Sequence, residues 1–187
     1  MGIYKLIVRR RSIRKFQQKK IKKSILLDCL NTARLAPSAA NLQPLEFILA
    51  TKNLDKIFEN LKWSAYLKNG APQKNEKPTA YIVIISNVKI NKEARYDAGF
   101  AVENIILTAI EKGVNSCVIG SVNRNELIKF LNIPKNYVIE LVLALGYPKQ
   151  RSFEEKFKGS YRYWLDKKGN LHIPKRKLQD ILHEERF

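Results

Sequence analysis

The chain has 187 residues, of which 45% are hydrophobic and 10% aromatic, so it can bury the core of a single domain and is not intrinsically disordered. Its apolar runs are far shorter than the roughly 20 residues of a membrane-spanning helix. Lysine and arginine outnumber aspartate and glutamate by 35 to 17, which gives a formal net charge of +18.

The hydrophobic pattern predicts helices and strands in mixed order. A short first helix is indicated by Ile3, Leu6 and Ile7, and Ser24 is expected to cap the second, which ends before Pro37. Strands are predicted at Leu45–Thr51, Thr79–Ser86, Val114–Ile119 and Val138–Leu145. Further helices are predicted at Leu54–Leu61 and at about Glu93 to Lys112. Another short helix is predicted after Asn123, which forms a capping pair with Glu126.

Two of these elements are expected to be buried. The strand Thr79–Ser86 is apolar on both faces, which is typical of a central strand. The helix at about Glu93 to Lys112 carries a wide stripe of small and branched side chains, so it is predicted to be buried nearly all round or to meet another helix closely. Because helices and strands alternate from Leu45 onward, the sequence predicts a three-layer α/β or α+β domain.

Two stretches give no regular pattern. Residues 62–78 contain Asn69-Gly70, Pro72 and Pro78, and are predicted to form a loop or a mobile lid. The stretch Lys149–Phe187 is basic, aromatic and poorly periodic as far as Leu178. We therefore predict one domain over residues 1–187 with a C-terminal extension of about 149–187.

The first candidate for chemistry is the basic run Arg9-Arg10-Arg11-Ser12-x-Arg14. Clustered guanidinium groups beside a hydroxyl suit a phosphate monoester, because arginine presents a planar fork of donors to phosphate oxygens. A basic, solvated N-terminus is the alternative interpretation of the same residues.

The second candidate is the loop Pro37-Ser38-Ala39-Ala40-Asn41-Leu42-Gln43-Pro44. Asparagine and glutamine offer donors and acceptors together, as the edge of a planar heterocycle requires, and the small residues let a ligand approach. An ordinary helix-to-strand loop has a similar composition.

Two glycine-containing motifs complete the set. Asp97-Ala98-Gly99 stands near the start of the buried helix, and Ile119-Gly120-Ser121 ends a strand, where ligands often bind. Neither G-x-G-x-x-G after a strand nor G-x-x-x-x-G-K-[ST] occurs, so the dinucleotide fold and the P-loop lack their usual motifs.

Taken in order, these motifs resemble the nitroreductase-like family of FMN-dependent flavoproteins. The run Arg10-Arg11-Ser12-Ile13-Arg14 is similar to the family's phosphate motif, and the proline-flanked loop to its P-S-x-x-N-x-Q-P loop. Further similarity comes from Asp97–Ala101, Glu111–Val114, Ile119-Gly120 and Leu145–Pro148.

The resemblance implies a three-layer α/β/α fold of the α+β class, with a mixed, mainly antiparallel sheet. It also implies a homodimer built on the long helix, with FMN at the subunit interface and NADH or NADPH as electron donor. A nitroaromatic, a quinone or a similar small molecule would be the acceptor, and the flavin would carry the chemistry without a catalytic residue. By that resemblance the cofactor-binding residues are Arg10, Arg11, Ser12, Arg14, Pro37, Ser38, Ala39, Asn41, Gln43, Ile119, Gly120, Ser121 and Arg176.

Other functions remain open from the sequence. A member of the same family with another task, such as flavin fragmentation or reductive dehalogenation, would share these motifs. The charge of +18 also fits a nucleic-acid-binding protein, although the lysines are scattered along the whole chain, and we therefore expect no specific nucleic acid.

The remaining sequence features bear on metal binding, membrane binding and the cellular compartment. The two cysteines, Cys29 and Cys117, stand far apart and form neither a metal motif nor a disulfide framework, so we interpret both as packing residues. Residues 1–14 show no apolar segment with a cleavage site, and we expect a cytoplasmic protein that binds no metal and no membrane.

Overall fold

An antiparallel sheet of four strands forms the centre of the protein in a computed structural model that describes residues 2–68 and 70–187. The strands are β1 (Leu45–Ala50), β2 (Ala80–Asn87), β3 (Asn115–Ile119) and β4 (Tyr137–Gly146), in the order β1-β2-β4-β3. Each end lies within one residue of its predicted position. A strand that pairs on both edges and is apolar on both faces belongs in the middle of a sheet, and β2 takes that place between β1 and β4.

Both faces of the sheet are covered, which makes the three layers. On one face Ile82 and Ile84 of β2 pack in a single apolar cluster with α2 (Lys23–Ala33) and α4 (Arg95–Glu111). On the other face Tyr81 and Val83 pack with side chains of two short helices, α3 (Leu54–Glu59) and α5 (Arg124–Phe130). The alternation of side chains along an extended strand directs neighbours in β2 to opposite clusters. The first helix, α1, spans Ile3–Arg9.

The long helix α4 meets α2 closely, as its stripe of small residues predicts. Thr32 Oγ1 lies 2.9 Å from Thr108 Oγ1, and Asn104 Nδ2 donates to the carbonyl of Thr32 at 3.0 Å. The opposite side of α4 remains open, because Tyr96 is 72% exposed and Phe100 53% exposed. The prediction of a close helix neighbour is therefore confirmed, whereas burial all round does not occur within one chain.

Both predicted helix caps are wrong in detail. Helix α2 begins at Lys23 with Lys22 as its N-cap and has no side-chain cap, so Ser24 already lies within the first turn. Helix α5 does begin after Asn123, but its cap makes no side-chain hydrogen bond. In a capping pair the backbone N–H of Asn123 would donate a hydrogen bond to the Glu126 carboxylate. It donates instead to the carbonyl of Asn60 at 2.9 Å.

The extended segment after α1 is fixed by backbone hydrogen bonds on both sides. Ile13 donates to the carbonyl of Ser116 at 2.9 Å, and Phe16 donates to that of Glu76 at 2.9 Å. Phe16 is fully buried and lies directly over Gly146, where an added Cβ would stand 2.7 Å from the ring. Gly146 is therefore required for a close approach, and this packing sets the position of the basic residues just before it.

Residues 149–187, the C-terminal extension, form a second and smaller sheet that the sequence pattern does not predict. Its strands are β5 (Ser152–Lys156), β6 (Trp164–Leu165) and β7 (Leu171–Lys175), in the order β5-β7-β6. Strand β7 pairs with β5 in parallel and with β6 antiparallel. Charged side chains and Pro174 interrupt the apolar alternation of these strands, which explains why the pattern gives no signal.

The stretch 62–78 is only partly irregular. It contains a 3₁₀ turn at Lys74–Glu76. Glu76 is buried, and its carboxylate oxygens lie 3.4 Å from Lys15 Nζ and 3.6 Å from Lys149 Nζ. Asn69 of the predicted Asn69-Gly70 turn lies outside the described residues. No helix in the described part of the chain is both long and apolar enough to cross a membrane.

Candidate functional site

The basic run after α1 lines a cavity of about 150 Å³. Ile13 is 4% exposed and anchors the run, while the polar residues on either side of it reach the cavity. The remaining walls come from the C-terminal extension. The lining residues are Arg10, Arg11, Ser12, Arg14, Tyr163, Ile173 and Lys175.

The arginine side chains are held by the protein, but not fully. Arg14 Nε donates to the carbonyl of Trp63 at 2.8 Å, and its guanidinium lies 4.7 Å above the centre of the Tyr163 ring. Arg11 pairs with Glu154 of β5, and Arg10 Nε lies 3.4 Å from Glu103 of α4.

Two guanidinium nitrogens make no hydrogen bond within the described part of the chain. Arg14 Nη1 and Arg11 Nε are buried and have no hydrogen-bond partner among the described residues. The basic side chains that line this cavity make it suited to an anion with several oxygen acceptors.

A second cavity, of about 290 Å³, shares Arg14 and Tyr163 with the first. One wall is the end of β3 with the residues that follow it, and the other is Lys62–Ala65. The two walls are joined where Lys62 N donates to the carbonyl of Ser121 at 3.0 Å. Gly120 is exposed at the cavity, and an added Cβ there would meet only a Leu141 methyl group at 3.7 Å. The structure thus brings Ile119, Gly120 and Ser121 together with the basic run.

Cys117 also lines this second cavity, and it is buried. Burial raises the pKa of Cys117, and the charge of Arg14 opposes that rise only in part. The group is therefore a neutral thiol, consistent with the prediction that it is a packing residue. Within residues 2–68 and 70–187 no three His, Cys, Asp or Glu side chains are grouped in a way that could hold a metal ion.

The loop Pro37–Pro44 lies at a third cavity, of about 160 Å³, which Pro37, Ser38 and Gln43 line. Its backbone is strained, with positive φ at Ala40 (48°), Asn41 (55°) and Gln43 (50°). Ser38 Oγ accepts from Gln43 N at 3.0 Å and stabilises this conformation. Ala39 and Asn41 are exposed at its tip. Within one chain this loop does not line either of the cavities that Arg14 lines.

The loop is also tied to the start of α4. Ala39 N donates to Asp97 Oδ1 at 3.2 Å, and Asp97 is only 3% exposed. Asp97 therefore anchors the backbone of the loop, in addition to standing in the first turn of a helix, where a carboxylate is favourable.

Near the end of the chain, Arg176 is exposed and donates to the carbonyl of Asp180, while its neighbour Lys175 lines the cavity of the basic run. Sequence reasoning missed Lys175 and Tyr163. Lys175 belongs to the same basic cluster as Arg176, but it is the last residue of β7, whereas Arg176 follows that strand. Tyr163 stands in an aromatic stretch that matches no motif.

The sequence profile of the nitroreductase family matches residues 7–147 of this chain. The chain belongs to the nitroreductase family. The match spans the basic run, the proline-flanked loop, α4 and the end of β3, and it stops at the start of the C-terminal extension.

Known relatives agree with this family. A protein of Archaeoglobus fulgidus, provisionally named an NADH dehydrogenase/NAD(P)H nitroreductase, is 35% identical over an alignment of 162 positions that covers 81% of this chain and 88% of that protein. The iodotyrosine deiodinase of Thermotoga neapolitana is 26% identical over 164 aligned positions, and the alignment covers 78% of this chain and 88% of that protein.

Among solved structures, a provisionally named nitroreductase of Desulfovibrio desulfuricans in complex with FMN superposes with a TM-score of 0.72. It is 20% identical and covers 100% of this chain and 98% of its own. This likeness supports the fold. The predictions of the nitroreductase family, of an oxidoreductase and of the three-layer α+β fold are confirmed.

Proposed function

We propose that this nitroreductase-family protein binds FMN and passes electrons from NADH or NADPH to a nitroaromatic, a quinone or a similar small acceptor. The observation that carries the proposal is the pair of cavities joined by Arg14 and Tyr163, the first of them lined by the basic residues Arg10, Arg11, Arg14 and Lys175. A phosphate monoester at the first cavity and a planar ring at the second would fill both. The relatives named for NAD(P)H and the structure that holds FMN support the same assignment.

The residues present fit this cofactor. Arg10, Ser12 and Arg14 supply donors for a phosphate, with Arg11 and Lys175 adding positive charge. When bound, FMN supplies a ring that takes a hydride from reduced nicotinamide and gives electrons to the acceptor.

The protein's own part is binding, orientation and electrostatics. Exposed Gly120 leaves room for a flat ring at the end of β3, while Arg14 and Lys62 bring positive charge that favours an electron-rich ring. The net charge of +18 attracts the anionic nicotinamide dinucleotides.

The visible spectrum of the purified protein tests the cofactor. We expect a yellow protein that releases FMN on denaturation and oxidises NADH or NADPH when a quinone or a nitroaromatic is added. A colourless protein that fails to bind added FMN would contradict the proposal.

We further propose a homodimer in which the loop Pro37–Gln43 of one subunit completes the flavin site of the other. Apolar side chains exposed on α1 and α4, namely Ile3, Tyr4, Ile7, Val8, Tyr96 and Phe100, offer a surface for that contact. The strained and anchored loop presents Ala39 and Asn41 outward, away from the cavities of its own chain. Arg176 remains a predicted contact of the cofactor phosphate.

Complementation between two variants tests the shared site. We expect Arg14→Ala and Asn41→Ala each to weaken FMN binding, by about tenfold or more for the lost arginine. Mixed dimers of the two variants have one site with both residues intact, so half of the sites should regain wild-type affinity. Arg186→Ala, which changes an exposed arginine outside the cavities, is the matched control. Mixed dimers that bind FMN no better than either variant would refute the shared interface.

A second candidate function is reductive dehalogenation with the same cofactor, which the similarity to the iodotyrosine deiodinase favours. It predicts bound FMN, slow NAD(P)H oxidation with nitro or quinone acceptors, and release of iodide from 3-iodotyrosine in the presence of a reductant.

Specific nucleic-acid binding and activity outside the cytoplasm are not expected. Binding of duplex DNA that persists at physiological salt would contradict the first of these expectations.

A further inference from the structure

Tyr163, in the C-terminal extension, stands at the junction of the two cavities. It immediately precedes β6, is half-buried, and lines both the cavity of the basic run and the cavity at the end of β3. Arg14 is the other residue that lines both. The family profile ends at residue 147, so it assigns no role to this tyrosine.

The phenol of Tyr163 is fixed by the opposite wall. Its hydroxyl oxygen lies 3.0 Å from Ser64 Oγ and accepts a hydrogen bond from Ala65 N at 3.1 Å. Its ring meets Tyr66 edge-to-face at a centroid distance of 5.1 Å. These contacts hold the ring from two directions, so its face has one defined orientation in the cavity.

That face packs on the guanidinium of Arg14. The Arg14 Cζ atom lies 4.7 Å from the ring centroid, within the range of a cation–π contact. Arg14 Nε is already engaged by the carbonyl of Trp63 at 2.8 Å. The ring and the carbonyl together fix the plane of the guanidinium, and Arg14 lines both cavities in this orientation. A donor that is oriented before its ligand arrives loses less entropy on binding.

We propose that Tyr163 is a positioning residue that orients Arg14 toward the phosphate of FMN. This inference rests on the proposed function, because it names a contributor to the same cofactor site. It also gives the C-terminal extension a task, which is to place one aromatic ring against the basic run. Tyr163 acts through Arg14, so its loss should weaken binding of the phosphate and leave binding of the ring unchanged.

Comparison of FMN with riboflavin, which lacks the phosphate, tests this role. For Tyr163→Leu we expect FMN affinity to fall about tenfold, with riboflavin affinity within about twofold of wild type. Tyr163→Phe retains the ring face and should stay close to wild type for both ligands. In an Arg14→Ala background, Tyr163→Leu should cause no further loss of FMN affinity. Tyr161→Leu, which changes an exposed neighbour packed on Phe157, is the matched control.

The outcomes separate this inference from the proposed function. A wild-type protein that binds neither flavin overturns the proposed function and the inference with it. Wild-type binding with an unchanged Tyr163→Leu variant overturns only the role of Tyr163. An equal loss of FMN and riboflavin also overturns it, because Tyr163 would then act by direct contact with the flavin ring and not through Arg14. Circular dichroism checks that the variant folds, and Tyr163→Met repeats the comparison where the leucine variant does not.

Discussion

The four-stranded body, residues 2–148, and the C-terminal extension are held together by different kinds of contact. In the body, two apolar clusters cover both faces of one sheet, and side chains such as Ile82 and Leu143 are fully buried. In the extension Leu171 is buried, but neither cluster includes it. Its strands pair with one another, and His172 of β7 links them further, because its ring stacks on Trp164 of β6 at 4.1 Å and its Nδ1 lies 2.7 Å from Glu155 Oε1 of β5.

Several contacts between the two regions are polar. Arg11 pairs with Glu154, Gln150 Oε1 accepts from Arg14 N at 3.4 Å, and Tyr163 reaches Ser64. Because apolar burial supplies most of the free energy of folding, the body is expected to be more stable than the extension. The extension, which is expected to be the less stable region, supplies a wall of both cavities, so ligand specificity can vary there.

The largest effect is expected from truncation in the core. Leu143→Ala should lower the free energy of unfolding of the whole protein by about 3 kcal/mol, because it leaves a cavity between sheet and helices. Leu171→Ala should mainly increase opening of β5–β7, and change the protection of β2 amides by less than about 1 kcal/mol. Hydrogen exchange of the backbone amides measures both. Equal loss of β2 protection in the two variants would show that the regions unfold as one unit.

A smaller effect is expected from pH, and only in the extension, which contains both histidines of the chain, His172 and His183. The hydrogen bond to Glu155, with a further one to Asp166, raises the pKa of His172 above its ordinary 6.5. Protonated His172 therefore stabilises the extension fully below about pH 6.5, and this contribution is lost as pH rises through the raised value. Hydrogen bonds from Asn170 lower the pKa of Asp166 to about 2, so that carboxylate stays charged throughout this window.

Amide exchange of β7 between pH 6 and 9, corrected for intrinsic rates, tests this titration. Opening of β7 should increase across the window in the wild type and stay level in His172→Gln, with β2 unchanged in both. His183→Gln is the control, because His183 packs on Phe187 near the end of the chain. The same pH dependence in the wild type and in His172→Gln would refute the role of His172.

The smallest effect is expected from a surface ion pair of the body. Lys129 Nζ lies 3.0 Å from Glu126 Oε1, and both side chains are more than half exposed. Lys129→Ala should change the free energy of unfolding by less than about 0.5 kcal/mol, because water screens the pair. Chemical denaturation gives this value, and a change above about 1 kcal/mol would mean that polar contacts stabilise the body as well as the extension.

The sequence predicts the body well, since strong apolar periodicity is a local property. The strand at β2 is apolar on both faces and can be stable only in the middle of a sheet, which is where it lies. The extension escapes prediction because β5 and β7 are short, charged and stabilised by pairing with one another across the chain. The cap expected at Ser24 fails because several residues offer similar starts to one helix, and packing selects among them.

The candidate site divides in the same way. Residue type alone identifies the basic run Arg10–Arg14 as a candidate for a phosphate and Gly120, at the end of a strand, as a candidate for a ligand contact. The order of the motifs identifies the family, and the family resemblance places the flavin ring near Gly120. Only the tertiary structure shows that these two motifs line joined cavities, that Lys175 and Tyr163 complete the walls, and that the loop Pro37–Pro44 faces away from them within one chain. The physical reason is that the type of a side chain determines which ligand group it can bind, and this can be known from the sequence. Which side chains lie close together depends on tertiary contacts, namely the register of β3 against β4, the packing of Phe16 over Gly146, and the pairing of β5 with β7.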